Sequence, residues 1–238
     1  MKPEIYLIGT NHYDPNGPAR LERLLNHLQP GYVSVETDKL RAREAEQKEE
    51  ILQDPKGLDA FEKTILSVFP MANPKTIRKT IKVNYFEYLV ARDYCQQNGI
   101  PTSLPLILAD SAKEAAKISY NGETYEEEAA NLSKTPSEFA QMVEQWYRER
   151  PMQVQVDDVK RFNFVARDVY IETKLRRLAQ KVALGSKIKE LFGQKQKKPD
   201  RIVHVGGASH LFGSYPNLFE RLSDLHPTRI KLNEADKL

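Results

Sequence analysis

The sequence of 238 residues has few of the features that mark a secreted or membrane-spanning protein. Its one cysteine, Cys95, excludes an internal disulfide framework and a zinc site built on cysteines. No apolar run approaches the length of a transmembrane helix. The first residues run directly into a predicted strand, without the apolar region of a signal peptide. We therefore expect a cytoplasmic protein that has no membrane partner.

The chain also lacks a strong excess of charge of either sign. Its 36 basic and 33 acidic residues leave a formal net charge of +3. So small an excess gives little electrostatic attraction to phosphate backbones, and we expect no nucleic-acid partner. Low-complexity linkers are absent too, and hydrophobic residues make up 40% of the chain. The composition is typical of a globular protein, and we expect one domain over residues 1–238.

Short apolar runs alternate with helical patterns, which predicts an α/β fold with a mainly parallel central sheet flanked by helices. The predicted strands are residues 5–8, 32–35, 104–109, 202–205 and, at an edge, 228–232. Residues 39–98 and 111–150 are predicted to form a large helical elaboration on this sheet. Apolar positions on its helices suit a core or a homodimer interface equally well.

Two Gly-x-x-His tetrapeptides, one near each end of the chain, are the most informative motifs. Residues 9–12 are Gly-Thr-Asn-His and residues 207–210 are Gly-Ala-Ser-His, each after an apolar run. Each predicts a buried strand that ends in glycine, with His12 or His210 just past the carboxyl end, where α/β proteins bind ligands. Without a Cβ atom, glycine lets the backbone turn sharply and approach a ligand closely.

Other polar side chains follow the same predicted strands. Asn11 precedes His12, Glu36 and Asp38 follow the second strand, and Asp110 follows the third. The carboxyl ends of parallel strands share one edge of a sheet, so imidazoles and carboxylates are expected to converge there. Such a set suits zinc, manganese, iron or cobalt, and it could also activate water without a metal, with histidine as the base.

Each of these residues also has a purely structural interpretation. A single histidine after a strand is more often a hydrogen-bonding residue than a ligand. Glu36 and Asp38 could form an acidic cluster that caps the next helix, and Asp110 could cap the helix after the third strand. The hypothesis of a functional site therefore depends on the coincidence among strand ends.

A long helix is predicted over residues 157–182. Arg167 and Asp168 lie on it, and a solvated charged face is the default interpretation for such residues. His204, within the fourth strand, is predicted to face the core or a polar neighbour. The expected core positions of the long helix are Phe164, Val165, Val169, Ile171, Leu175 and Leu178.

The order of these motifs resembles the TraB/Tiki superfamily. Residues 5–12 (IYLIGTNH) and 203–213 (VHVGGASHLFG) resemble its two Gly-x-x-His elements, and residues 33–38 (VSVETD) its Glu-x-Asp-like element. Residues 106–110 (LILAD) resemble its third strand, and residues 167–171 (RDVYI) its Arg-Asn/Asp segment on a long helix. The resemblance implies the α/β core shared with the erythromycin esterases and ChaN-like proteins.

The resemblance to the Tiki branch implies a metal-dependent hydrolase, most similar to a peptidase, acting on a peptide or small-molecule substrate. His12, Glu36 and His210 become the candidate ligands of a divalent ion (Mn²⁺, Co²⁺ or Zn²⁺) and the candidate catalytic residues. Arg167 becomes the catalytic group that stabilises an oxyanion. The supporting residues expected around them are Asn11, Asp38, Asp110 and Asp168.

Two departures from the family pattern leave other functions open. The family often has arginine after the third-strand aspartate, where this chain has Ser111. Tiki proteins are membrane-anchored and extracellular, whereas we expect neither a signal peptide nor an anchor in this chain. One alternative is a metal-independent, esterase-like hydrolase in which His12 activates water beside Glu36. The other is a non-catalytic regulatory protein that binds a peptide or signal in the same pocket.

Overall fold

The computed structural model describes residues 2–83, 85–98, 106–116, 123–149, 159, 163–191 and 200–238. Its strands are β1 Glu4–Thr10, β2 Tyr32–Val35, β3 Leu106–Leu108, β4 Arg201–Gly207 and β5 Thr228–Lys231. Within the described residues they form one sheet of five parallel strands in the order β3-β2-β4-β1-β5. The predicted α/β fold with a parallel sheet is confirmed, and β5 lies at an edge as expected.

Helices cover both faces of this sheet. They are α1 Gly17–Leu28, α2 Lys39–Gln53, α3 Pro55–Val68, α4 Pro74–Val83, α5 Phe86–Gln97, α6 Ala112–Ala115, α7 Glu123–Ser133, α8 Pro136–Glu149, α9 Phe164–Leu191, α10 Ser209–Phe212 and α11 Leu218–Arg221. Two 3₁₀ turns follow, at Ser223–Leu225 and Leu232–Lys237. No described helix combines the length and the apolar composition that a bilayer span requires.

The long helix α9 ends later than predicted. It continues to Leu191 instead of ending near residue 182, although Gly185 lies inside it and glycine costs a helix about 1 kcal/mol relative to alanine. The predicted start, from residue 157, falls mostly outside the described residues. The exposed side chains of Val165 and Val169 show that these two predicted core positions are wrong.

Alternate residues of the strands face two apolar layers. On β4, Val203 and Val205 lie in the cluster formed with α1, α5 and α8, whereas Ile202 lies in the cluster formed with α9. His204 has the same parity as Ile202 and therefore lies on the α9 side of the sheet. A third cluster joins residues of α3, α4 and α7 away from the sheet. The predicted elaboration thus contributes α5 and α8 to the sheet layer and also has an apolar cluster of its own.

The strand register brings the two Gly-x-x-His elements side by side. β1 and β4 are paired so that Gly9 lies opposite Gly206, and Thr10 opposite Gly207. On the other side of β4, the backbone N–H of Glu36 donates to the carbonyl of Val205 over 2.8 Å. The carboxyl ends of β1, β2 and β4 therefore meet at one edge, which carries the candidate site.

Candidate functional site

Glu36 lies at the centre of the site, buried just beyond β2. Its Oε2 accepts a hydrogen bond of 2.7 Å from the backbone N–H of Gly207, and its Oε1 lies 3.0 Å from Nε2 of His210. The guanidinium of Arg167 also pairs with Oε1. Burial alone would raise the pKa of Glu36, but the positive charges of His210 and Arg167 outweigh it and hold the pKa well below its usual value. Glu36 is therefore an ionised carboxylate held by three donors.

His210, in α10, lies between two carboxylates. Its Nε2 faces Glu36, and its Nδ1 contacts Asp168 on α9. The hydroxyl of Tyr215 donates to the other Asp168 oxygen over 2.9 Å, and Phe164 packs edge-on against the imidazole, with ring centroids 4.6 Å apart. Burial alone would lower the pKa of His210, but the two carboxylates raise it to about 10. At neutral pH this ring is an imidazolium, and both of its N–H groups are used.

Arg167 and Arg41 share the carboxylate of Asp110. Arg167 donates to its two oxygens over 3.2 and 2.8 Å, and Arg41 contacts Oδ2. Arg41 also donates to Asp38 over 2.8 Å, and Asp38 accepts from two backbone N–H groups in the first turn of α2. The capping interpretation is thus right for Asp38. It is wrong for Asp110, because Ser111 caps the next helix.

Arg167 and Asp168 are buried, with 6% and 0% of their surfaces exposed. The expectation that they lie on a solvated face of the long helix is therefore wrong. Charged side chains turn inward here because each meets a partner of opposite charge, which offsets the cost of removing it from water. The side chain of Asn11, in contrast, shapes the loop after β1, since its Oδ1 accepts from the backbone N–H of Tyr13 over 3.0 Å.

His12 lies beyond the end of β1, and 55% of its side chain is exposed. Its Nδ1 is 2.6 Å from Oε1 of Glu87 on α5, which also accepts from the hydroxyl of Thr10 over 2.9 Å. Desolvation on the buried side of the ring opposes ionisation, but the Glu87 carboxylate outweighs it and raises the pKa of His12. In the neutral ring, this contact places the proton on Nδ1 and the lone pair on Nε2.

The side chains of His12, Glu36 and His210 converge on Gly207. A Cβ atom added to Gly207 would lie 3.5 Å from Nε2 of His12, 3.5 Å from Cδ2 of His210 and 3.6 Å from Oε2 of Glu36. Because residue 207 is glycine, no side chain fills this point. The two Gly-x-x-His elements thus supply the two imidazoles, and Gly207 of the second element leaves the space between them open.

The arrangement of donors does not fit the predicted Mn²⁺, Co²⁺ or Zn²⁺ ion. Within the described part of the chain, no group of three or more His, Cys, Asp or Glu side chains is placed so that it could hold a metal. Both oxygens of Glu36 already accept hydrogen bonds, and a cation there would meet the Arg167 guanidinium. The two ring nitrogens of His210 already face Glu36 and Asp168, which leaves neither of them free for a metal.

Glu87 and Arg41 are among the site residues that sequence reasoning missed. One feature of the sequence could have identified Glu87. It shares a helix face with Ala91 and Cys95, four and eight residues further on, and both of these residues are buried. A carboxylate on such an apolar stripe needs a partner. Arg41, one of several charged residues on α2, gives no comparable signal.

Ser34 and His204 form a buried polar pair on the α9 side of the sheet. The Ser34 hydroxyl lies 3.0 Å from Nδ1 of His204, and both residues are fully buried. Nε2 of His204 has no hydrogen-bond partner among the described residues. Burial lowers the pKa of His204 to about 4, so the ring is neutral. The prediction that His204 faces the core or a polar neighbour is confirmed.

Comparisons with known proteins assign no family. No family model matches the chain, and neither the curated proteins nor the solved structures give a match. The TraB/Tiki resemblance therefore stays a prediction that depends on the short motifs alone. The function has to be argued from the geometry of the site.

Proposed function

We propose that this protein is a metal-independent hydrolase in which His12 activates a water molecule beside Glu36. One observation supports the proposal above all. Nε2 of His12 and Oε2 of Glu36 lie 3.5 and 3.6 Å from one point, the position of a Cβ atom on Gly207. A water molecule held between these two atoms, in contact with the backbone of Gly207, would donate one proton to Nε2 and the other to the carboxylate, leaving an oxygen lone pair free to attack a carbonyl carbon.

Glu87 orients the base in this proposal. It holds the Nδ1–H of His12 and so directs the lone pair of Nε2 toward the water. When His12 takes the proton, the new imidazolium faces the carboxylates of Glu87 and Glu36, which stabilise its charge. It then gives this proton to the departing alcohol or amine as the acyl C–O or C–N bond breaks. Imidazole and carboxylate pairs of this type are a recurrent means of general base catalysis.

His210 and Arg167 act through Glu36. Both contact its carboxylate and both are almost fully buried, so they keep Glu36 ionised and fixed. The role of Arg167 in the proposal therefore changes from direct stabilisation of an oxyanion to positioning of Glu36.

The proposed substrate is an ester or amide, either a peptide or a small molecule, that reaches the half-exposed His12 from solvent. Attack by cysteine is not part of the mechanism, because Cys95 is buried and burial raises the pKa of its thiol to about 11. A free thiol suits a reducing compartment, and we propose that the reaction takes place in the cytoplasm.

Hydrolysis of a panel of esters and peptides, with and without EDTA, tests this function. We expect EDTA to have no effect and His12→Ala to lower kcat/KM by about 10²- to 10⁴-fold. His27→Ala is the matched control, because His27 is an exposed histidine on α1. Loss of activity in EDTA with recovery on adding Mn²⁺ would favour the metal-dependent alternative. Binding of a peptide that stays uncleaved would favour the regulatory one.

A further inference from the structure

One buried nitrogen atom near the candidate site has no hydrogen-bond partner among the described residues. Nε2 of His204 is fully enclosed and makes no hydrogen bond within the described residues. A buried polar atom in that state costs free energy, and native structures usually satisfy it with protein or with an ordered water molecule. The position of this nitrogen therefore needs an explanation.

The nitrogen faces Glu36 across Gly206. A Cβ atom added to Gly206 would lie 3.1 Å from Nε2 of His204 and 2.8 Å from Oε2 of Glu36. Ser34 lies opposite His204 in the register of β2 and β4. Glu36, two residues after Ser34 and just beyond the end of β2, lies on the same side of the sheet. Glycine at position 206 leaves the two polar atoms facing each other with no side chain between them.

We propose that one buried water molecule joins Nε2 of His204 to Glu36, and that Ser34 and His204 position this carboxylate from below. The water molecule and its hydrogen bonds are inferred independently of the proposed function. Only the catalytic role of Glu36 rests on that function. Glu36 is held on one side by Gly207, His210 and Arg167, and the water adds a fourth contact on the side facing the sheet.

The direction of each hydrogen bond follows from the chemistry of the groups. Glu36 as a carboxylate only accepts, so the water donates to it. The Ser34 hydroxyl makes no other hydrogen bond within the described residues, so its proton goes to Nδ1 of His204. Nε2 then carries the ring proton and donates it to the water. The neutral state of the buried ring agrees with this chain of donors.

The tautomer of His204 tests the inference without any need for turnover. Long-range ¹H–¹⁵N spectra of histidine-labelled protein, with His204 assigned from His204→Gln, report which nitrogen is protonated. We expect Nε2–H at neutral pH, and a shift of this signal in Glu36→Gln. A proton on Nδ1 would overturn the inference whatever the activity. Nε2–H with the Glu36-dependent shift, in a protein that hydrolyses nothing, would support the inference and contradict the proposed function.

The positioning role has a kinetic test of its own. Ser34→Ala removes the first donor, and we expect kcat to fall about tenfold with KM unchanged, the size of one net hydrogen bond. Ser186→Ala is the control, because Ser186 is a buried serine of α9 that bonds Asp200 over 2.8 Å. Equal kcat values for Ser34→Ala and the wild type would overturn the positioning role.

Discussion

Three histidines near one edge of the sheet have pKa values that are shifted by different neighbours. Glu87 raises the pKa of His12, burial lowers that of His204 to about 4, and two carboxylates raise that of His210 to about 10. All three start from the same usual value of 6.5, so the neighbours decide the outcome. The sequence indicates which residues reach the edge. It cannot indicate their charge, because the partners come from distant helices.

The pH dependence of catalysis follows from the state of His12. The base must be neutral, and its pKa is raised above 6.5, so kcat/KM is expected to rise with pH through a midpoint above that value. Glu87→Gln removes the charge that raises the pKa and should move the midpoint to lower pH while lowering the maximal rate. A pH–rate profile of both proteins checks this. If kcat/KM rises with the same midpoint pH in Glu87→Gln as in the wild type, the assignment of His12 as the base is wrong.

Gly207→Ala separates catalysis from folding. The new methyl group would make ordinary contacts of 3.5 Å with His12 and His210, so we expect the melting temperature to change little. The same methyl would project between His12 and Glu36 and displace the attacking water, and kcat should fall about 100-fold or more. Gly31→Ala is the control, since a Cβ there would meet no atom within 4 Å. Undiminished kcat in Gly207→Ala would place the water elsewhere.

At the scale of elements, regular apolar patterns were predicted well and buried polar faces were not. The helix α2, Lys39–Gln53, begins at the first residue of the predicted helical elaboration. On α9, the predicted stripe has the wrong phase near its start, because Arg167 and Asp168 occupy the buried face there while Val165 and Val169 face outward. Hydrophobic periodicity assumes that charge marks the solvent side, and the site breaks that assumption.

The charges that link β2, α9 and α10 make stability depend on pH. The pKa of His210 in the folded protein, about 10, lies above its usual 6.5, so its contribution is complete below pH 6.5 and is lost as pH rises toward 10. The pKa of Glu36 is lowered from 4.5, so its contribution is present above pH 4.5 and is lost as pH falls.

Urea unfolding of the wild type and of His210→Gln from pH 6 to 10 measures this effect. We expect the difference in the free energy of unfolding between the two proteins to shrink steadily over that range. His226→Gln serves as the control, because His226 lies in the turn before β5. A difference that stays constant up to pH 10 would contradict an imidazolium between two carboxylates.

At the scale of the whole molecule, the sheet order joins distant parts of the chain. β4 lies between β2 and β1, and β1 lies between β4 and β5. The sequence predicts the strands and their common edge, but no local pattern states which strands are neighbours. His12 and His210 come together only because β1 pairs with β4, and Glu87 joins them because α5 packs on the sheet layer.

The cluster of α3, α4 and α7 is expected to unfold before the sheet. It is smaller than either sheet layer, and its most buried side chain is that of Ile77. Ile77→Ala should cost about 2–5 kcal/mol and accelerate amide exchange in these helices, leaving β1 and β4 protected. Hydrogen exchange read by mass spectrometry checks this, with Leu7→Ala in β1 as the comparison. Equal acceleration throughout the chain in Ile77→Ala would show that the cluster and the sheet unfold together.

The position of β1 also has a consequence for synthesis. Both of its neighbours in the sheet, β4 and β5, leave the ribosome much later, and the hydrogen bond between Thr10 and Gly206 joins residues 196 positions apart. At about 5–20 residues per second, β1 waits roughly 10–40 seconds with two unpaired edges. Such edges invite pairing with other chains. We therefore expect the nascent chain to need chaperones, or its early helices, to shield β1 until β4 and β5 arrive.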